Sequence, residues 1–264
     1  MVLAFAASYF ALEGEFKRHN LKLDPYSVVA IVAFAGILGA KIWHIVDTPA
    51  DRPTAETFQS FGALLNWFRG GFAWFGGFVA GIAALLIIAR RNGIKMLSML
   101  DLCSSAAAVG YAVGRIGCLI SGDGDYGKPT NVPWGMAFPD GLVPTTQTCV
   151  QWGWPANCRV HPTPIYEFMV CVLIGWYIWH LGSRSLKRPL PPGLILGQFL
   201  VLFGIERFLV EYIRINPRVF LGMSNAQVAA LLTVVAGGVV FTIAWSRRGK
   251  VQTAQNLSTN QAKR

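Results

Sequence analysis

Two arginines of this chain stand inside long apolar stretches, where a charged side chain is costly. Arg115 lies in the segment VGYAVGRIGCLI and Arg207 in LFGIERFLVEYI. A charged group at membrane depth normally faces the protein interior and serves a function. Because arginine stays protonated and its planar guanidinium pairs well with oxyanions, the two residues favour binding of a phosphate. In a lipid environment, that phosphate belongs to a phospholipid headgroup.

Acidic residues accompany the second arginine. Glu211 follows Arg207 at i+4, so both lie on one stripe of a helix, where the glutamate can hold the arginine or accept a proton. Two isolated arginines at similar depth repel each other unless an anion lies between them, which favours a functional pair. For Glu206 and Arg214, a structural ion network is the favoured interpretation.

The segment after Arg115 is rich in glycine. Four glycines follow the arginine at Gly117, Gly122, Gly124 and Gly127. They mark the end of a helix, where backbone N–H groups can approach an anion. Asp123 and Asp125 lie at the same point of the chain. An ordinary turn has a similar composition, so this pattern alone does not identify a site.

The composition is that of an integral membrane protein. Of 264 residues, 53% are hydrophobic and only 14% are charged, whereas soluble domains carry about a quarter charged residues. The formal charge of +10 is compatible with a nucleic-acid ligand. However, the basic residues stand in short clusters between apolar stretches, and no nucleic-acid-binding motif accompanies them. We therefore expect no nucleic-acid partner.

Seven apolar stretches predict an all-α integral membrane protein with seven transmembrane helices. They are residues 1–16, 26–46, 71–89, 96–121, 163–181, 193–214 and 225–245. Fourteen of the 23 basic residues follow the odd-numbered stretches, and the positive-inside rule makes that side cytoplasmic. The N-terminus is then periplasmic and the C-terminus cytoplasmic. We expect a single domain over residues 1–248 and a disordered cytoplasmic tail over 249–264.

The first stretch is short for a membrane-spanning helix. About a dozen apolar residues precede its first acidic residue, against about 20 for a typical span. A signal peptide is the alternative, but a positive n-region and a small-residue cleavage site are missing. We interpret the stretch as a transmembrane helix that lacks its outer end, as a misassigned start codon would produce.

The side chains that could take part in a reaction are predicted to lie near the periplasmic face. By helical rise, Arg115 lies about 28 Å along the fourth span and Arg207 about 21 Å along the sixth, and both spans run outward. The loop 122–162 leaves the fourth span on this side. Its length and its content of Gly, Pro and Trp predict an ordered periplasmic cap.

Two cysteines of this loop, Cys149 and Cys158, lie nine residues apart. An oxidising compartment allows them to pair, which favours a structural disulfide. A zinc site is the alternative, but it needs more ligands than His161 alone supplies. We therefore expect no metal.

Several segments resemble the prolipoprotein diacylglyceryl transferase family. They are RGGFAWFGG at 69–77, GRIGCLISGDGDYGKPTNVPWGMAFP at 114–139, HPTPIYE at 161–167 and GIERFLVEYIR at 204–214. The segments occur in the family's order, and the likeness extends from the first residue to about Arg248. The Gly-Arg-x-Gly block at the end of a helix is the signature of this family.

This resemblance implies a seven-helix enzyme of the bacterial inner membrane with a periplasmic active site. Such an enzyme transfers the diacylglyceryl group of phosphatidylglycerol to the lipobox cysteine thiol of a prolipoprotein, the first step of lipoprotein maturation. Glycerol phosphate is released, and neither a metal nor an organic cofactor is implied. The expected partners are phosphatidylglycerol, prolipoprotein signal peptides and membrane lipids.

The resemblance also assigns roles to single residues. The expected catalytic residues are Arg115, Arg207, Asp123, Glu211 and His161. The expected lipid- or phosphate-binding residues are the two arginines with Gly76, Gly77, Gly117, Gly127 and Tyr166. Tyr166 and Glu167 match a Tyr-Glu pair of the family, and Asp123 matches its signature acid.

The chain departs from the family pattern at five places, one of which is the missing outer end of the first span, where the family has a Tyr-Gly pair. Phe75 stands where many relatives have a histidine, Cys118 replaces an asparagine, and Phe203 replaces a tyrosine. An extra residue also separates Asp123 from Gly127. These losses of polar groups keep two alternatives open: a paralogue with a different acceptor, and a non-catalytic binder of anionic lipid. A small anion transporter is less favoured, since no internal repeat is evident.

Overall fold

The computed structural model describes residues 2–248, apart from the side chains of Arg69 and Trp74. The tail expected over 249–264 lies outside the described residues. The helices are α1 (Val2–Arg18), α2 (Pro25–Asp47), α3 (Phe61–Arg69), α4 (Trp74–Arg91), α5 (Met96–Ser121), α6 (Thr145–Gln151), α7 (Thr163–Ser185), α8 (Leu194–Val210) and α9 (Asn225–Ser246). Two 3₁₀ helices, Pro49–Asp51 and Ala55–Phe58, and two short strands, β1 (Pro129–Thr130) and β2 (Arg159–Val160), complete the described elements.

The long helices follow the apolar stretches. By length and composition, α2, α5, α7 and α9 are able to cross a membrane. The other three predicted spans are occupied by α1, α4 and α8, which have 17, 18 and 17 residues. The protein is therefore mainly helical with four candidate membrane spans. Seven crossings and the orientation of the termini stay predictions.

One helix ends earlier than the sequence predicts. The sixth predicted span extends to residue 214, but α8 ends at Val210, and the next residues form a turn. This turn brings Arg214 opposite Gly127 in an antiparallel bridge, and the N–H of Lys128 donates to the carbonyl of Ile213 at 2.8 Å. Pairing with this loop thus replaces the last helical turn and turns Arg214 toward the end of α5.

The described residues divide into two compact units, residues 2–21 with 100–248 and residues 22–99. In the first unit, α5, α7 and α8 share a buried apolar core made by Ala108, Ile174, Ile178, Ile195 and Phe199. Asp101 of α5 fixes the start of α8, because its carboxylate accepts hydrogen bonds from the N–H groups of Gly193 and Leu196, both at 2.7 Å. These N–H groups have no partner within the helix.

Glycines at the contact between α8 and α9 let the two helix backbones lie close together. A Cβ atom on Gly197 would lie 2.7 Å from the backbone nitrogen of Phe241, and one on Gly237 would lie 2.7 Å from Cβ of Leu200. Small residues let helix backbones pack closely where no hydrophobic force drives association. Packing against α9 and α7 therefore fixes α8, the helix that carries Arg207.

The loop 122–162 is ordered by its own small core. Strands β1 and β2 pair antiparallel, with Pro129 opposite Val160 and Thr130 opposite Arg159. Cys149 and Cys158 are joined by a disulfide bond, with their Cα atoms 5.9 Å apart. Around them pack Tyr126, Phe138, Trp154, Val160 and Ile215. The loop is thus a folded cap of the first unit.

In the second unit, α2 packs against α4. Gly77 of α4 faces the carbonyl of Gly36, where a Cβ would lie 3.1 Å from the oxygen, and Gly76 contacts Gly39 and Trp43. Lys41 of α2 is buried and donates hydrogen bonds to the carbonyls of Trp67 and Gly70 at 2.7 and 2.6 Å. This lysine ties the end of α3 to α2.

Candidate active site

A buried carboxylate lies between the two arginines of the apolar stretches. Oε2 of Glu167 in α7 is 3.1 Å from Nε of Arg115 in α5, and Oε1 is 3.4 Å from Nη1 of Arg207 in α8. The Glu167 side chain is fully buried. The structure therefore brings the two arginines together, and the anion between them is a carboxylate of the chain itself.

Tyr111 orients Arg115 from one helical turn earlier in α5. Its hydroxyl accepts a hydrogen bond from Nη2 of Arg115 at 2.5 Å and donates one to Oε1 of Glu167 at 3.0 Å. The guanidinium of Arg115 also lies 4.6 Å from the centroid of the tyrosine ring. Tyr111 thus links the arginine and the glutamate in a single hydrogen-bonded arrangement.

Arg214 is a third arginine of the same site. Its guanidinium pairs with the carboxylate of Asp125, and Nη1 lies 3.3 Å from Oε2 of Glu167. Arg115 pairs with the other oxygen of Asp125. Burial acts to raise the pKa of Asp125, but the charges of Arg214 and Arg115 outweigh it and hold that pKa below its ordinary value.

Glu211 pairs with the same nitrogen of Arg207 that Glu167 contacts, as the i, i+4 spacing of Glu211 and Arg207 predicts. Nη1 of Arg207 lies 2.9 Å from Oε2 of Glu211. The other oxygen, Oε1, accepts hydrogen bonds from Nδ2 of Asn216 at 2.6 Å and from Oγ of Ser224 at 2.7 Å. Glu211 is fully buried, so these donors replace its lost hydration.

Together these residues form an arginine–carboxylate cluster in which three positive and three negative charges balance. Its members are Arg115, Arg207, Arg214, Asp125, Glu167 and Glu211. Every guanidinium nitrogen of Arg115 and Arg214 faces a group of this site. Within the described part of the chain, Nε and Nη2 of Arg207 make neither a hydrogen bond nor an ion pair. Arg207 therefore has an open edge for an anionic ligand.

The sequence profile of one family, described as prolipoprotein diacylglyceryl transferase, matches residues 1–243. The chain belongs to the prolipoprotein diacylglyceryl transferase family. A phosphatidylglycerol–prolipoprotein diacylglyceryl transferase of Clostridium tetani is 28% identical over 92% of this chain and 90% of its own length. Proteins of the same name from Geobacter sulfurreducens and Nitrobacter hamburgensis are 31% and 29% identical, covering 84% and 91% of this chain and 78% and 77% of their own lengths.

Two acids of the 122–162 loop, Asp123 and Asp125, have different contacts, and the catalytic role expected for Asp123 stays a prediction. Asp123 matches the signature acid of the family, yet the carboxylate that pairs with Arg115 and Arg214 is that of Asp125. Asp123 instead accepts a hydrogen bond from the N–H of Asp125 at 3.2 Å.

Cys118, Asp123 and Asp125 are the group of described residues best placed to hold a metal ion. Their sulfur and oxygen ligand atoms all lie within 4.8 Å of one another. The carboxylate of Asp125 already pairs with two guanidinium groups, and Nη1 of Arg115 also lies 3.7 Å from Sγ of Cys118. This surrounding positive charge favours an ion-pair arrangement over a cation site.

The transferase family's His-Pro and Tyr-Glu segments form a second polar group. Nδ1 of His161 lies 3.2 Å from the hydroxyl of Tyr166, which also accepts a hydrogen bond from Nε1 of Trp134 at 2.7 Å. His161 contacts Tyr166 rather than either Arg115 or Arg207. Burial lowers the pKa of His161, so its imidazole is neutral near neutral pH and able to accept a proton.

The expected glycine contacts lie in different places. Gly76 and Gly77 belong to the unit of residues 22–99, where they face α2. Gly117 is exposed on α5, and the N–H of Gly127 donates to the carbonyl of His161 at 2.8 Å. Of these four glycines, Gly127 is the one with a hydrogen bond to another expected site residue, His161. Contacts of these glycines with lipid stay a prediction.

Proposed function

We propose that this chain transfers the diacylglyceryl group of phosphatidylglycerol to the lipobox cysteine thiol of prolipoproteins. The observation that carries the proposal is the open edge of Arg207 beside a buried ion network. Nε and Nη2 of Arg207 make neither a hydrogen bond nor an ion pair with the described residues, whereas every guanidinium nitrogen of Arg115 and Arg214 faces a carboxylate or hydroxyl oxygen of the site. A bidentate contact with a phosphate fits this edge. Family membership supports phosphatidylglycerol and a prolipoprotein as the two substrates.

The reaction breaks the bond between a glycerol carbon and a phosphate oxygen. The sulfur of the acceptor thiolate forms a bond to this carbon, and glycerol phosphate leaves with the electron pair of the broken bond. Arg207 stabilises the charge that develops on the leaving phosphate, which is commonly the largest catalytic contribution. Arg115 adds positive charge from its position against Glu167, Tyr111 and Asp125.

The proton of the acceptor thiol must pass to a base. His161 suits this role chemically because burial keeps its imidazole neutral, and Asp123 and Glu211 are the other candidates. We assign Asp125 and Arg214 to positioning, since both hold Arg115 or Glu167 within the cluster. Gly76, Gly77, Gly117, Gly127 and Tyr166 remain proposed lipid or phosphate contacts.

We infer that the protein works in the bacterial inner membrane, with seven spans, a periplasmic N-terminus and a cytoplasmic tail over 249–264. The cluster and the cap of residues 122–162 then face the periplasm, where exported prolipoproteins arrive. The clusters of basic residues after the odd-numbered spans support this orientation. Residues 1–248 act as one catalytic domain in this proposal.

Complementation tests the proposal. A bacterial strain depleted of its own transferase should grow when it expresses this chain, and its lipoproteins should regain the diacylglyceryl modification. Arg207→Gln, confirmed in the membrane by immunoblot, should not restore growth. If the unsubstituted chain reaches the membrane but restores neither growth nor modification, the proposal is wrong.

A second candidate function is anionic-lipid binding without transfer. The departures at Phe75 and Cys118 favour it, because each removes a polar group of the family pattern. Retention of phosphatidylglycerol by the purified protein, with no lipid added to a lipobox peptide, would select this function over the transferase.

A further inference from the structure

The loop between α8 and α9 carries an exposed apolar tip. Val219, Phe220 and Leu221 are 66%, 57% and 82% exposed. All three lie outside the helices, between Val210 and Asn225, so a lipid-facing helix surface does not account for their exposure. Consecutive exposed apolar residues on a connecting loop mark a contact surface.

The backbone makes leucine an unfavourable residue for this tip in water. The N–H of Val219 donates to the carbonyl of Met223 at 2.9 Å, and the N–H of Met223 donates to that of Phe220 at 2.8 Å. In this turn Leu221 has a φ of 47°, a left-handed conformation that glycine and asparagine adopt more readily. Asparagine would suit both this backbone and water better. A favourable environment for the leucine side chain must therefore offset both costs.

The position of the tip identifies that environment as a lipid bilayer. Leu221 precedes Ser224, the N-cap of α9, by three residues, and α9 is long and apolar enough to cross a membrane. Three residues extend about 10 Å at most, so the tip stays near the level where α9 enters the membrane. Apolar side chains at that level lie in the boundary between headgroups and acyl chains. We propose that Val219, Phe220 and Leu221 insert into the leaflet that adjoins the arginine–carboxylate cluster.

Hydrogen bonds to Glu211 connect the loop that carries the tip to the arginine–carboxylate cluster. Asn216 and Ser224, on either side of the tip, both donate to the Glu211 carboxylate, and Nη2 of Arg218 donates to its backbone carbonyl at 2.9 Å. Because Glu211 also pairs with Arg207, insertion of the tip holds Glu211 and Arg207 near the membrane surface. The membrane contact itself does not depend on the proposed transfer reaction.

Spin labelling tests the insertion. Leu221→Cys and, as a matched water-facing control, Asp140→Cys on the exposed cap are labelled with a nitroxide in vesicles of phosphatidylglycerol and phosphatidylethanolamine. Oxygen concentrates in the bilayer, whereas a nickel chelate stays in water. The label at 221 should collide with oxygen several-fold more often, relative to nickel, than the label at 140. The unsubstituted protein, labelled in parallel, corrects for its free cysteines.

Three outcomes would overturn the proposal. Equal access of nickel to both labels would mean that the tip stands in water. Protection of position 221 only after addition of a lipobox peptide would make that peptide the partner. Protection that disappears on dilution of the protein in lipid would indicate a second copy of the chain. Phe220→Cys replaces Leu221→Cys if the latter fails to fold, as judged by circular dichroism.

Discussion

At the scale of single residues, Glu167 occupies the space between Arg115 and Arg207 where the sequence alone suggests a phosphate. Its carboxylate is fully buried and contacts both arginines and Arg214. Such a buried anion removes the repulsion between the guanidinium groups before any ligand arrives. In the proposed function the cluster is thus preorganised, and the substrate phosphate needs to contact only the open edge of Arg207.

Asp125 is expected to matter more for activity than Asp123, because it pairs with both Arg115 and Arg214. Asp125→Asn removes two charge-assisted contacts, of which each contributes about 1.5–3 kcal/mol. Transfer should therefore fall about tenfold or more, since 1.4 kcal/mol corresponds to a factor of ten. Asp123→Asn is the matched control, and Asp125→Glu should restore part of the rate. A larger loss in Asp123→Asn would contradict this assignment.

The rate of transfer should fall on acidification if His161 is the base. Burial lowers the pKa of His161, so its imidazole stays neutral to a lower pH than that of an ordinary histidine. The unfolded chain binds a proton at His161 more readily than the folded chain does. The free energy of unfolding should therefore be highest at neutral pH and fall on acidification. Initial rates measured from about pH 5 to 8 cover this transition. In His161→Asn, the fall of the rate at acidic pH should disappear. If the dependence of the rate on pH is unchanged in this variant, the base is another residue.

At the scale of secondary structure, the position of α8 depends on its glycine contact with α9. Gly197→Ala places a Cβ atom 2.7 Å from a backbone nitrogen of Phe241, so we expect a lower thermal midpoint of unfolding. In Gly238→Ala, the control, the new Cβ meets no atom within 4 Å, and helix propensity favours alanine by about 1 kcal/mol. Thermal denaturation in detergent should therefore shift in opposite directions for the two variants. Equal shifts would show that this helix contact is not close.

The apolar stretches predict the helices well, because their length and composition decide where a chain can cross a membrane. They do not predict where a helix ends when tertiary contacts compete, as at α8, where pairing of Arg214 with the 122–162 loop replaces the last turn. Nor does spacing reveal the partners of the arginines. Asp125 and Arg214 are 89 residues apart, and only the packing of α5, α7 and α8 brings Glu167 between Arg115 and Arg207. The i, i+4 pair of Arg207 and Glu211 is the part of the site that local periodicity does predict.

At the scale of the whole molecule, basic residues predict which side of the membrane each loop faces. Asp140→Cys on the cap should react with a membrane-impermeant maleimide in intact spheroplasts, because we place this loop in the periplasm. Arg188→Cys, after α7, should react only after permeabilisation, since it follows an odd-numbered span. The unsubstituted protein gives the background of its native cysteines. The opposite labelling pattern would invert the proposed orientation.

In the proposed reaction, guanidinium geometry, and not merely positive charge, binds the phosphate of phosphatidylglycerol. The most direct measurement is mass spectrometry of a lipobox peptide incubated with the purified protein in phosphatidylglycerol vesicles. The unsubstituted protein should add one diacylglyceryl group to the cysteine. The Arg115→Lys, Arg207→Lys double variant should add none, because an ammonium group at 207 cannot make the bidentate contact and one at 115 cannot replace the contacts with Tyr111, Asp125 and Glu167. Transfer by the double variant at the unsubstituted rate would contradict the account.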